Sequence, residues 1–358
     1  MSARRTPPAS PDPRHEAGGG DWVPPPRRQR LAVRGLLVAW ELIKVMPEPL
    51  ARAAARLAGA IAYRRDRRRR ENLRANLRPI LGAVGERELD AAVRRGFASY
   101  ARYFFEAFRL ERVPPAELRE RFRLEGREHL DRALAAGRGA VLATPHLGNW
   151  ESGGAWLALE GYRAVAVAER LRPEELFERF RRYREALGLE IIPLDDGPAA
   201  LRRVASALRD GKVAALVADR DLTGRGLPVT MFGRPARLPG GPAALALRTG
   251  AALLPCAVYQ EPRGRWRGVI RPPVEVPTGG DQRADALELT RRMARELEQL
   301  VAAAPDQWHV LVPFWEETPT AGGGPPSGPP SRGDAGGSAP GVKSGPPDPR
   351  SIIKEARR

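Results

Sequence analysis

At 358 residues, 42% of them hydrophobic, the chain is long enough for one domain of about 280 residues with a buried core. Its single cysteine, Cys256, excludes an internal disulfide framework, and its four histidines are scattered, with no cysteine-histidine cluster that points to zinc. A formal charge of +17 calls for an acidic partner, either an anionic membrane surface or nucleic acid.

Residues 1 to 30 are rich in Pro, Gly and Arg with few apolar anchors, and are expected to be disordered. No apolar core with a small-residue cleavage site follows the first arginines, so no secretory signal is expected. From Leu31 to Met46 apolar residues cover most of a helix, which Pro47 ends. That run is too short and too charged to span a bilayer. A second amphipathic stretch carries Leu50, Ala54, Leu57, Ala58 and Ile61 on one side, and Arg64-Arg65-Asp66-Arg67-Arg68-Arg69-Arg70 follows. A helix pair with a cationic collar predicts an in-plane attachment to an anionic membrane. The next helix spans 86–109, with Leu89, Val93, Phe97, Tyr100, Phe104 and Phe108 along its apolar stripe.

Beyond Pro114-Pro115 strands and helices alternate. Strands are expected at 122–124, 139–143, 164–168, 189–194, 213–218, 252–259, 266–270 and 274–276. Helices are expected at 128–136, 149–160, 173–187, 198–209, 242–248 and 281–304. This alternation predicts an α/β fold, a mostly parallel sheet flanked by helices, preceded by an amphipathic helical part. The domain is expected over 31–317, helical in 31–115 and α/β in 116–317. The Gly-Pro-Ser-rich segment 318–358 is expected to be a disordered tail.

The chemistry concentrates in Ala143-Thr144-Pro145-His146-Leu147-Gly148-Asn149-Trp150-Glu151. A buried strand delivers His146 to its end, Gly148 permits a tight turn, and Asn149 suits the N-cap of the next helix. Glu151 then falls in the first helical turn, where the helix dipole favours its ionised form. A carboxylate that accepts the proton of one imidazole nitrogen frees the other to act as a base. Ser152 lacks the leading glycine of a nucleophile elbow, so direct transfer without an acyl-enzyme is the expected route.

His146-Leu-Gly-Asn-Trp-Glu151 between a strand and a helix resembles the glycerophospholipid acyltransferase superfamily. In particular it resembles the bacterial branch of lipid A lauroyl and myristoyl acyltransferases, which includes actinobacterial phosphatidylinositol mannoside acyltransferases. Further blocks carry the resemblance: Glu169-Arg170, Arg184, Asp219-Arg220-Asp221 with Arg225, Met231 to Pro255, and Pro305-Asp-Gln-Trp308-His309. Arg220 stands where the lipid A enzymes commonly carry Gln, which favours the mannoside subgroup. The resemblance implies O-acyl transfer from an acyl thioester, acyl-CoA, to a mannose hydroxyl of a glycolipid. His146 and Glu151 are its implied catalytic pair. Glu169, Arg170, Arg184, Asp219, Arg220, Asp221 and Arg225 are its implied substrate-binding residues. Backbone N–H groups near the turn are the expected oxyanion donors. No metal and no cofactor beyond acyl-CoA as co-substrate is expected. The enzyme is expected at the cytoplasmic face of the plasma membrane as a peripheral protein. No nucleic-acid-binding module is recognisable, so nucleic acid is not an expected partner.

Overall fold

A computed structural model gives the fold over residues 27–222, 224–277 and 279–316. Both expected tails lie outside the described residues, except 27–30, which are already helical. The helical part comprises α1 (Arg27–Val45), α2 (Glu48–Arg65), α3 (Arg67–Leu81) and α4 (Glu86–Arg109). Pro47 caps α2 and separates it from α1. Asp66 ends α2 and begins α3, its side chain accepting the Arg69 N–H at 2.9 Å. The arginine run is therefore helical on both sides of one capping acid rather than a charged turn. Gly59 lets α2 approach α4 closely, since a Cβ there would meet Ala98 Cα at 2.9 Å. Trp40 of α1 is fully buried and stacks on Phe108 of α4 at 4.2 Å. The same indole lies edge-on to Tyr183, which ties the helical part to the α/β core.

The core runs α5 (Pro115–Arg121), β1 (Phe122–Glu125), α6 (Arg127–Ala135), β2 (Ala140–Thr144), α7 (Trp150–Leu159), β3 (Ala164–Ala168) and α8 (Glu174–Ala186). It continues with β4 (Leu189–Pro193), α9 (Pro198–Arg209), β5 (Val213–Val217), β6 (Leu227–Met231), β7 (Arg234–Leu238), α10 (Gly241–Thr249), β8 (Ala252–Gln260), β9 (Trp266–Ile270) and α11 (Gln282–Ala302). Among the described residues seven strands form one sheet in the order β1-β9-β8-β2-β5-β3-β4. Every pairing in it is parallel except β8 with β9. The α/β expectation therefore holds. Helices α5 to α8 cover one face and α9 to α11 the other, each over its own apolar cluster. A strand buried on both faces should be apolar throughout, and all five residues of β2 are buried.

Two expectations need correction. Residues 274–276 form no strand: Val274 donates one bond to Leu253 O at 2.8 Å, and the preceding Pro272 and Pro273 have no N–H to extend a ladder. The segment from Leu227 to Leu238 forms an unforeseen hairpin, β6 paired antiparallel with β7. Phe232 and Gly233 turn it with φ of 49° and 71°, the left-handed geometry that two-residue hairpin loops require.

Candidate active site

β2 and β5 are adjacent and parallel, with Thr144 opposite Val217. Two residues beyond that pair lie His146 and Asp219, so the register brings them side by side. Asp219 Oδ1 lies 2.5 Å from His146 Nδ1, and Oδ2 accepts the His146 backbone N–H at 2.8 Å. Trp308 donates its indole N–H to the same Oδ2 at 2.8 Å. Asp219 is fully buried. Burial pushes its carboxyl up, but the imidazole, indole and backbone donors outweigh burial and hold it below the usual range. An ionised carboxylate only accepts, so Nδ1 carries the proton and Nε2 presents its lone pair.

The His146 loop is clamped from both sides. Gly148 donates to Gln307 O at 2.9 Å, Asn149 to Val258 O at 2.9 Å, and His309 N–H to His146 O at 2.7 Å. Gly148 has φ of 61°, and a Cβ there would meet Val258 O at 1.9 Å, so glycine is required. Asn149 caps α7 by accepting from Ser152 N, and its side-chain amide donates to Glu106 at 3.0 Å. Ser152 is buried and donates to Asn149 O at 2.7 Å, which makes it part of the cap and not a nucleophile. The backbone N–H groups of His146, Leu147, Gly148 and Asn149 are all engaged. Ser152 N–H is taken by Asn149, so the expected oxyanion donors near the turn are reduced to the N–H groups of Trp150 and Glu151 at the start of α7.

Glu151 does not take the imidazole. Its carboxylate, 2% exposed, pairs with Arg184 of α8, whose Nη2 lies 2.6 Å away and whose Nε lies 3.1 Å from both oxygens. The Tyr103 hydroxyl stands 3.3 Å from Glu151 Oε1. Burial works against the Arg184 charge, yet Glu151 more than offsets it and the guanidinium is held protonated above its usual range. Trp150 fills the gap between the two pairs, edge-on to His146 at 5.4 Å and against Tyr103 at 4.2 Å.

His146, Glu151 and Arg184 border a cavity of about 800 Å³ at the carboxyl end of the sheet. Its deeper wall is apolar, with Phe122, Leu124, Leu142, Trp156, Leu157 and Ile270. Gly153 and Gly154 of α7 also face it. Glu169, Arg220, Asp221 and Arg225 also line it. Asp221 Oδ2 accepts the Gly226 N–H at 2.6 Å and closes that loop. Arg170 does not join them: it bonds Asp195 at 2.7 Å and Glu174 at 2.6 Å and lies over the Phe177 ring.

Three contributors had no local signal. Asp219 as the partner of His146, and Trp308 as the donor to Asp219, depend on segments distant in the chain. Behind them His309 is buried, with Nε2 2.9 Å from Ser99 Oγ, while Ser99 donates to Gln260 Oε1 at 2.9 Å. One hydroxyl hydrogen cannot serve both, so His309 Nε2 donates, and its buried Nδ1 has no hydrogen-bond partner. Burial, reinforced by His146, drives the His309 pKa down to about 3. No group of three or more His, Cys, Asp or Glu among the described residues is arranged to hold a metal ion.

An imidazole with a buried carboxylate on one nitrogen and an open lone pair on the other can take a proton from a hydroxyl. The apolar chamber beside it suits a hydrocarbon chain. A phosphatidylinositol mannoside acyltransferase of Mycolicibacterium smegmatis is 39% identical over 282 residues, 78% of this chain and 90% of that protein. One from Mycobacterium tuberculosis is 43% identical over 248 residues, 68% of this chain and 77% of that protein. Residues 30–317 match the family described as bacterial lipid A biosynthesis acyltransferases. With that match covering the helical part, the sheet and the His146 site together, the chain belongs to the bacterial lipid A biosynthesis acyltransferase family and is an acyltransferase.

Proposed function

We propose that this acyltransferase moves a long-chain acyl group from acyl-CoA to a mannose hydroxyl of a phosphatidylinositol mannoside at a membrane surface. The observation that carries the chemistry is the His146–Asp219 pair opening on an apolar cavity. The acyl chain lies along the apolar wall, with its thioester carbonyl at His146. His146 Nε2 takes the hydroxyl proton as the oxygen attacks that carbonyl. Asp219 keeps the tautomer and stabilises the imidazolium that forms. The N–H groups of Trp150 and Glu151 at the start of α7 face the developing oxyanion. Collapse of the tetrahedral intermediate breaks the carbon–sulfur bond, and the imidazolium returns its proton to the departing thiolate. Base assistance of this kind contributes about 10²–10⁴-fold. Glu151 acts with His146 through Arg184: their buried pair fixes the wall against which the substrate is held. Glu169, the most exposed acid of the cavity, is suited to the sugar hydroxyls, and the cationic rim to phosphate.

The mannoside acceptor rests on the two mycobacterial relatives and on Arg220 in its block. Membrane attachment rests on the exposed apolar stripes of α1 and α2 with arginines beside them. No helix among the described residues is long and apolar enough to cross a membrane, so the proposed attachment is peripheral.

The test is an acyl-transfer assay with palmitoyl-CoA, offering mannosylated phosphatidylinositol and a lipid A precursor in parallel. Product on the mannolipid alone is expected, falling at least 100-fold in His146→Ala. Product on the lipid A precursor alone would replace the acceptor, and full turnover in His146→Ala would remove the base.

A further inference from the structure

The charges lining the cavity are unequally satisfied. Its guanidinium groups are those of Arg184, Arg220 and Arg225. Arg184 is locked onto Glu151. Arg225 has interactions of its own. Arg220 is half-buried, yet no hydrogen bond or ion pair engages it among the described residues. Its flanking carboxylates do not serve it. Asp219 is fully buried and directs its oxygens at His146 and Trp308. Asp221 folds back onto Gly226 N. A guanidinium half-removed from water without a counterion is unfavourable until an anion arrives. Its planar fork matches two phosphate oxygens.

We propose that Arg220 is the anion subsite of the cavity, binding a substrate phosphate one residue from the carboxylate that holds the base. The proposal deepens the transferase reading above and rests on it for the identity of the ligands. Two phosphates fit this chemistry: those of the CoA moiety of the donor and the phosphodiester of the inositol lipid. Because Arg220 follows Asp219 directly, a phosphate bound there fixes its substrate relative to His146.

The test is direct binding by titration calorimetry, which needs no turnover. CoA and myo-inositol 1-phosphate are titrated separately into the full chain, into Arg220→Gln and into Arg220→Lys. Arg220→Gln is expected to weaken one of the two ligands at least tenfold and leave the other unchanged. Arg220→Lys, keeping the charge without the fork, is expected to recover part of the loss. Weakened CoA binding assigns the subsite to the donor, and weakened inositol phosphate binding assigns it to the acceptor. Unchanged binding of both, failure of the unsubstituted protein to bind either, or equal loss of both without recovery in Arg220→Lys would overturn the proposal. A protein that binds through Arg220 but transfers no acyl group would keep the subsite and sink the transferase reading instead.

Discussion

His146 and Asp219 are 73 residues apart, and their contact exists because β2 and β5 run in parallel register. The chain presents His146 and Glu151 five residues apart on one turn, and that spacing makes Glu151 the obvious partner. The helix instead turns Glu151 toward Arg184, and the neighbouring strand supplies the acid. Local spacing identifies which residues are chemical, while sheet register decides which of them touch. A carboxylate that ends one strand beside a histidine that ends another is the signal that was readable in principle, once β2 and β5 are placed together. The consequence is testable at Asp219. Asparagine there preserves size and still accepts from Trp308, but it removes the charge that sets the imidazole tautomer. Asp219→Asn should lower kcat by about 10²–10⁴ with little change in KM, as loss of an interaction made mainly in the transition state requires. Steady-state kinetics with palmitoyl-CoA decides it, and a variant with unaltered kcat would leave Asp219 a packing residue only.

Helix and strand existence were largely legible because burial writes a simple pattern. The apolar runs of β2, β3 and β5 and the stripe of α4 needed no tertiary knowledge. The β6–β7 hairpin was hidden by Pro228 and Pro235, which argue against strands, although an isolated two-stranded pair tolerates them. At the other extreme, α1 and α2 show apolar residues where no core requires them. Val38, Leu42 and Val45 follow helical spacing on α1 and are 59%, 59% and 64% exposed. Leu50, Leu57 and Ile61 do the same on α2 at 60%, 62% and 42%. Arg34, Arg52, Arg56, Arg64 and Arg65 are exposed on the same two helices. Such stripes suit the boundary between anionic headgroups and acyl chains. Each leucine that enters the apolar layer contributes about 1.5–3 kcal/mol. Leu42→Glu with Leu57→Glu should therefore abolish flotation with phosphatidylinositol-containing vesicles while leaving the helical content unchanged. Equal flotation of the substituted and unsubstituted proteins would place the membrane contact elsewhere. Attachment that vanishes completely at moderate salt would reduce it to charge alone.

For the whole molecule, the charge of +17 overstates what is available to a partner. Within the arginine run Arg67 pairs with Glu71, Arg69 with Asp66, and Arg70 donates to Tyr63 O. Part of the positive charge is thus internal scaffolding, and composition could not separate that part from a binding surface. The helical part and the sheet meet over the buried assembly of Ser99, Gln260 and His309, directly behind the His146 loop. That assembly makes folding sensitive to acid in a defined window. His309 titrates near 6.5 when unfolded but only near about 3 in the folded chain. Between those values the unfolded chain binds the proton and the folded chain does not. The contribution to stability is therefore complete above pH 6.5 and is lost as pH falls toward about 3. Of its neighbours, His146 opposes and Asp219 favours the protonated form of His309. Asp219, itself depressed below 3.8, acts only at lower pH. Lowering the pH from 7 to 5 should remove about 2 kcal/mol through His309 alone. For a domain of this size that corresponds to a fall in Tm of about 3 °C. His309→Gln keeps an amide donor for Ser99 and cannot take up the proton, so it should lack this component. Thermal unfolding of both proteins at pH 5 and pH 7 gives the comparison. Parallel falls in Tm would show that other groups carry the acid sensitivity, whereas a shallower fall in His309→Gln would assign it to the buried neutral imidazole.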